Sequence, residues 1–266
     1  MVSTSTSAKS YTTRDIAALG PGSHCYQKPW NGPFRLLDLD WDSRRALLEI
    51  LIGNPTVAVF LPGRYGQSAV GIKLPEITKV NKQLRTESLL VAIEQTTFEI
   101  HSGPGNAKFQ NWLAMVDLKP LAGDVAENIK TGFDAVQKLR FPFFSRFPHN
   151  LPHITSNNDV NFMAKCDNLQ EVGLNFHVQE VIRKDVDGGV EKSAEQLVRE
   201  YYLDGILSVQ KLKKLQFLGW CSSNEKLGII ALGKWFEEQF KGQQEKGQRK
   251  GRVEVIWPGK PPAEED

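Results

Sequence analysis

An α/β fold, a sheet of mainly parallel strands covered by helices, is predicted by a recurring apolar signature and by the amphipathic stretches between its copies. The signature reads Val136-x-x-Leu139-x-Phe141, Leu169-x-x-Val172-x-Leu174-x-Phe176 and Leu212-x-x-Leu215-x-Phe217. The leading residue anchors the approach to a strand, and the following residues, spaced by two, point to one strand face. Copies start 33 and 43 residues apart, room for a strand and a returning helix, which parallel pairing requires. Right-handed crossovers then put the helices on one side of the sheet. The spacing is too uneven for a regular solenoid.

The remaining elements are taken in chain order. Residues 1–33 mix small polar residues with Pro21, Pro29, Pro33 and several glycines, and read as an irregular arm. Residues 34–55 form a dense apolar block, Phe34 to Ile52, with Asp42 or Ser43 placed to cap a helix and Gly53-Asn54-Pro55 to stop it. Val57 to Leu61 is β-branched and short, hence a strand. A helix is expected from Pro75 onward, with Ile77, Val80, Leu84 and Val91 on one face. Thr97 to His101 alternates as a strand, Gly103-Pro104-Gly105 turns it, and Phe109, Trp112, Leu113 and Val116 mark the next helix.

Ser193 and Gln196 have capping-box spacing ahead of a helix that buries Leu197, Val198, Tyr201 and Tyr202. Asn224 is placed to cap another, carrying Ile229, Leu232, Phe236 and Phe240. Residues 241–266 read as a linker (Gly242 to Gly251), a last strand (Arg252 to Trp257) and a polar tail. The main domain is thus expected over 56–240.

Composition bounds the partners. The 266 residues are 40% hydrophobic and 24% charged, with 33 basic against 31 acidic side chains. A net charge of +2 is too near balance to imply nucleic acid or an anionic membrane as partner. Met1 to Ser10 lacks the apolar core of a secretory signal, and no segment offers about 18 uninterrupted apolar residues. A cytoplasmic or nuclear protein is expected. Cys25, Cys166 and Cys221 form no C-x-x-C pair, which argues for reduced thiols.

Three stretches resemble a group of filamentous-fungal F-box-like proteins. Leu74 to Ser88, followed by Thr97-Phe98-Glu99-Ile100, is similar to that group's helix "VN-x-Q-hydrophobic-R-x-E" leading into an "NTF-x-F" strand. Phe34 to Ile52 stands where such proteins keep their F-box-like helix, and Cys166 to Val172 resembles their leucine-rich-repeat-like turn. Leu39-Asp40-Trp41-Asp42-Ser43-Arg44 lacks the proline and glutamate of the group's N-terminal element. The resemblance implies an irregular leucine-rich-repeat-like sheet behind a small N-terminal F-box-like helical element. It also implies an interaction module recruiting protein substrates, with a ubiquitin-ligase scaffold subunit as a partner.

Several constellations imitate reactive sites. Asp38, Asp40, Asp42 and Glu49 copy calcium-loop spacing, but Ser43 stands where glycine makes the turn, and helix capping is the simpler reading. His149 and His153 are four apart, yet Pro148 and Pro152 argue against the helix a zinc pair needs. His24-Cys25 are adjacent residues in the irregular arm. Leu61 to Gly66 and Ser102 to Gly105 lack the phosphate-cradle patterns, and no G-x-S-x-G elbow occurs. Lys241, Lys246, Arg249, Lys250 and Arg252 lack interleaved aromatics and read as a solvated segment.

A non-enzymatic protein-interaction module without cofactor or metal is therefore expected. Its candidate contacts are Leu36, Leu37, Leu39, Trp41, Leu47 and Leu48 on the N-terminal element, and Phe143 and Phe144 in the phenylalanine-rich run that also holds Phe141 and Phe147. The alternatives are an enzyme of unrecognised class on the same scaffold, and a binding module with no ligase connection, in which 34–52 packs into the core.

Overall fold

The computed structural model describes residues 36–59, 72, 74–79, 81–118, 129, 131–144, 155–177, 182–183, 190–220 and 227–260. The chain divides into two units, Met1–Asp38 and Leu39–Asp266. Of the first, the described part is the single 3-10 turn Leu36–Asp38. All other described elements belong to the second.

Helix α1 spans Trp41–Ile52. Its cap is Asp40, just ahead of Asp42 or Ser43: the carboxylate accepts from Ser43 N at 2.8 Å and from Ser43 Oγ at 3.1 Å. Gly53 ends it with φ 68°, a conformation glycine takes without steric cost, and donates to Glu49 O. After strand β1 (Thr56–Val59) and a 3-10 turn (Glu76–Lys79), α2 occupies Lys82–Gln95. The helix expected from Pro75 thus begins at Lys82. The reason is local, because the Asn81 side chain accepts from Gln83 N and Leu84 N and fixes the start there.

Charged pairs join the two helices. Arg44 binds Glu87 through two bonds of 3.0 and 2.9 Å, both side chains buried, while Arg45 reaches Glu49 and Glu94 at 2.8 Å each. Removing one partner of such a buried pair costs about 3–5 kcal/mol, because the other charge is left uncompensated. Leu48 is fully buried, and Thr97 N donates to Pro55 O at 2.9 Å. From Leu39 on, the expected separate element 34–55 is part of the sheet-bearing unit, with no boundary at residue 56.

The remaining elements are β2 (Thr97–Ile100), α3 (Gly103–Met115), α4 (Gly132–Ala135), β3 (Lys138–Phe141), α5 (Asn158–Lys165) and β4 (Glu171–His177). Then come β5 (Ile182–Arg183), β6 (Val190–Glu191), α6 (Ala194–Tyr201), a 3-10 turn (Leu203–Ser208), β7 (Lys214–Trp220), α7 (Leu227–Glu245) and β8 (Glu254–Ile256). Gly103-Pro104-Gly105, expected as a turn, opens α3 instead, since Ser102 Oγ accepts from Gly105 N and proline suits a first turn.

Six strands form one parallel sheet in the order β1-β2-β3-β4-β7-β8, and β5 pairs β6 in an antiparallel couple. The three signature copies are neighbouring strands in register: Leu139, Val172 and Leu215 lie in one row, Phe141, Leu174 and Phe217 in the next. Val57 and Phe98 extend the first row on one side and Val255 on the other. The leading Val136, Leu169 and Leu212 are all buried. Polar rungs join the approaches, with Gln170 Nε2 donating to Gln137 Oε1 at 3.0 Å and Asn168 Nδ2 to Asp134 O.

Helices cover this apolar face. Phe98 meets Phe109 of α3 at 4.6 Å between ring centroids, Phe176 meets Tyr201 of α6 at 5.4 Å, and Phe217 meets Phe236 of α7 at 5.4 Å. Each fully buried large apolar side chain contributes roughly 1.5–3 kcal/mol. Phe141 and Phe144 belong to this core, edge-on at 6.0 Å, whereas Phe147 lies outside the described residues.

The segment 242–251 departs from the expected linker. α7 continues to Glu245, and Arg249 is 3% exposed. Its guanidinium donates to Leu207 O, Val209 O and Gln210 O at 3.1, 2.7 and 3.0 Å and lies 4.9 Å from the Phe240 ring centroid. Those carbonyls lie at the end of the 3-10 turn, where Val209 O accepts from Leu212 N and Leu207 O from Gln243 Nε2 only at 3.4 Å each, and the guanidinium fork adds shorter bonds. The clamp lies just before β8, the last strand of the sheet.

Candidate functional site: the open face of the sheet

Residues alternating with the core rows lie on the opposite sheet face. One row there runs Thr56, Thr97, Lys138, Glu171, Lys214, Glu254, and the next Ala58, Glu99, Arg140, Gly173, Gln216, Ile256. Four adjacent strands thus present positive, negative, positive and negative charge at strand spacing, about 4.8 Å. Lys138 and Lys214 are half-buried, Glu171 and Glu254 exposed. Exposed charge pairs are worth about 0–1 kcal/mol to a fold, so this row has little part in holding the sheet together.

In the second row Arg140 lies across Gly173. A Cβ at Gly173 would stand 3.1 Å from Arg140 Cγ, so glycine gives the arginine stem its bed. The guanidinium Nη1 is 3.8 Å from Glu99 Oε1. Toward the C-terminal strand ends, where open α/β sheets commonly gather ligands, His101 Nε2 is 3.7 Å from Glu99 Oε2. The Phe143 ring stands 5.6 Å from that of His101. The Asn175 carboxamide oxygen is buried without a hydrogen-bond partner among the described residues.

The residues predicted as contacts are scattered by burial. Leu36, Leu48 and Phe144 are buried and present no surface to a partner. Leu39 and Trp41 are half-buried, Trp41 packing on the core with the Arg45 guanidinium 6.0 Å from its ring centroid. Leu37 and Leu47 are exposed, and Phe143 is half-buried beside His101. Ile50 and Leu51, which were not among the predicted contacts, are more exposed than any of these, at 78% and 62%. Nor did the prediction include the open-face row, although the x positions beside Leu139, Val172 and Leu215 already carried its charges.

Two of the residues that imitated a calcium loop have other engagements: Asp40 caps α1 and is held below the usual carboxylate range by the Ser43 N–H, and Glu49 pairs with Arg45. Among the described residues no group of three or more His, Cys, Asp or Glu side chains is placed to hold a metal ion. Burial pushes the Cys166 thiol far up, which keeps it from thiolate chemistry. His24, Cys25, His149, His153, Cys221 and Leu61 to Gly66 lie outside the described residues. Among the described residues no helix is long and apolar enough to cross a membrane. No protein-family model, no curated protein and no solved structure matches the chain.

Proposed function

We propose that this chain is a non-enzymatic protein-interaction module that captures its partner on the open face of the sheet. The observation that carries the reading is that, among the described residues, helices clothe one face of the sheet only. Helices bury the Phe98, Leu139 and Leu215 side, while Lys138, Glu171, Lys214 and Glu254 form an alternating row on the other. Such a row selects partners by charge register, since a shift by one strand sets like charges against each other.

The test exchanges two charges, Glu171→Lys with Lys214→Glu, which keeps net charge and changes only the pattern. Partners recovered by affinity purification are expected to be lost while the circular dichroism spectrum stays unchanged. A matched exchange on the exposed outer side of α7, Lys234→Glu with Glu238→Lys, is expected to retain them. Equal recovery from both exchanges refutes the assignment of the face.

A second reading is favoured by α1, whose Arg44 and Leu48 are buried while Leu47, Ile50 and Leu51 face outward. This apolar stripe supports an F-box-like adaptor role, with α1 docking a ubiquitin-ligase scaffold subunit. Purification is then expected to recover cullin-ligase subunits, and Ile50→Asp with Leu51→Asp to lose them. A wild-type purification without those subunits rules the adaptor role out and leaves the open-face reading standing.

A further inference from the structure

A groove of about 380 Å³ lies on the helix side of the molecule, lined by Glu195, Val198, Arg199, Tyr202, Asp204 and Trp235. Its construction starts at the capping box of α6, in which Ser193 Oγ accepts from Gln196 N and Gln196 Oε1 accepts from Ser193 N. That start places Glu195 in the first turn and Arg199 one turn on. The helix ends at Tyr202, whose N–H donates to Val198 O and Arg199 O.

Tyr202 takes φ 52° and ψ 45°, and among the described residues it is the one non-glycine with positive φ. Glycine is the usual occupant of such a left-handed helix end, where a side chain with a Cβ is strained. Strain of this kind clusters at binding sites. Here the side chain that incurs it lines the groove together with half-buried Trp235 of α7.

The groove's charge is net negative, two exposed carboxylates against one guanidinium. Its own backbone N–H and the Ser193 side chain hold Glu195 below its ordinary pKa, so its charge persists into mildly acidic solution. Aromatic faces attract cations. Elsewhere the chain supplies its own: Arg45 at Trp41, Arg249 at Phe240, and Lys260 at 4.2 Å from the Trp257 ring centroid. Among the described residues no lysine or arginine occupies the Trp235 face in this way.

We infer that this groove binds an alkylated ammonium group, its methyls against Tyr202, Trp235 and Val198 and its charge opposite Glu195 and Asp204. A hard metal ion would ask for convergent oxygen ligands instead of aromatic walls, and an anion would be repelled by the net charge. Quaternary ammonium is weakly hydrated, which suits a shallow and partly apolar groove.

The experiment follows the Trp235 indole N–H resonance of the full chain, assigned with Trp235→Phe, while tetramethylammonium chloride is added against a sodium chloride control. A saturable shift specific to Trp235 is expected, and choline is expected to bind at least about tenfold more tightly than neohexanol, its uncharged carbon isostere. Asp204→Asn, at an exposed position, is expected to weaken binding several-fold. Tyr202→Gly relieves the backbone and is expected to fold and to lose the shift.

Tighter binding of a peptide carrying trimethyl-lysine than of its unmodified form assigns the group to a protein side chain. Binding of choline without that preference assigns it to a free small molecule. The inference is overturned by no shift beyond the sodium chloride control, by equal affinity for neohexanol, or by full binding in Asp204→Asn, a variant that stays informative if Tyr202→Gly fails to fold.

Discussion

Replacing Arg249 with alanine asks how firmly the C-terminal strand is tied to the sheet. The guanidinium donates to three main-chain carbonyls at 2.7–3.1 Å and to Gln243 Oε1 at 3.3 Å. Hydrogen bonds to a charged group are worth about 1.5–3 kcal/mol each, and the Phe240 contact adds about 0.5–1 kcal/mol. Against this stands the desolvation of the guanidinium, visible as a pKa lowered by burial. Water reaches the carbonyls once the side chain is gone, so their loss is partly made good. The balance is a destabilisation of about 3 kcal/mol for Arg249→Ala.

Arg249→Lys keeps the charge but replaces a planar fork with a point donor, and about half that loss is expected. Urea unfolding followed by circular dichroism measures both. With a slope of about 3 kcal/mol/M, the alanine variant's midpoint should fall by about 1 M. Lys250→Ala, at an exposed neighbour, should change stability by less than about 0.5 kcal/mol. An Arg249→Ala midpoint indistinguishable from that of Lys250→Ala would refute the clamp.

Gly233 lies inside α7, where helix propensity alone favours alanine by about 1 kcal/mol. A Cβ there would stand 2.7 Å from Trp257 Cε3, so Gly233→Ala is expected to lower stability by about 1–3 kcal/mol and shift tryptophan emission, and a raised melting temperature would contradict the close approach. Asp159 titrates above its ordinary value of 3.8, chiefly through desolvation at its half-buried site, with the Asn106 amide opposing. Folding therefore favours the protonated acid: the ionised group subtracts stability above its raised pKa, and the penalty vanishes below 3.8. Helix-start attraction of about 0.3–1 kcal/mol works the other way, and burial outweighs it. Asp159→Asn should raise the melting temperature at pH 7, by a margin that shrinks toward pH 4. A variant less stable than its parent at pH 7 would contradict this.

Where local chemistry decides, the residues are readable in order. Leu139-x-Phe141 and Leu215-x-Phe217 are strands because alternation of apolar residues admits no stable alternative, and Ser193 with Gln196 starts α6 as their spacing demands. Even local competition can mislead: Asn81 outranks Pro75 as a helix start because a capping side chain satisfies two N–H groups at once.

The alternation of strand residues, the helices with a clear apolar stripe and the parallel order of the signature strands were thus written in the sequence by itself, whereas the short α4 and α5 were not. The tertiary structure alone decided what becomes of the charges. Glu87 and Arg44 stand 43 residues apart and look like surface residues on periodicity, yet they are buried together, and Arg249 leaves an apparent linker to close a turn some 40 residues earlier. Burial of a charge is stable only when a distant partner arrives with matching geometry, and no periodic pattern encodes that meeting. The open face obeys the same rule. Its charges could be listed from the chain, but their alternation across Lys138, Glu171, Lys214 and Glu254 exists only once strand order and register are set.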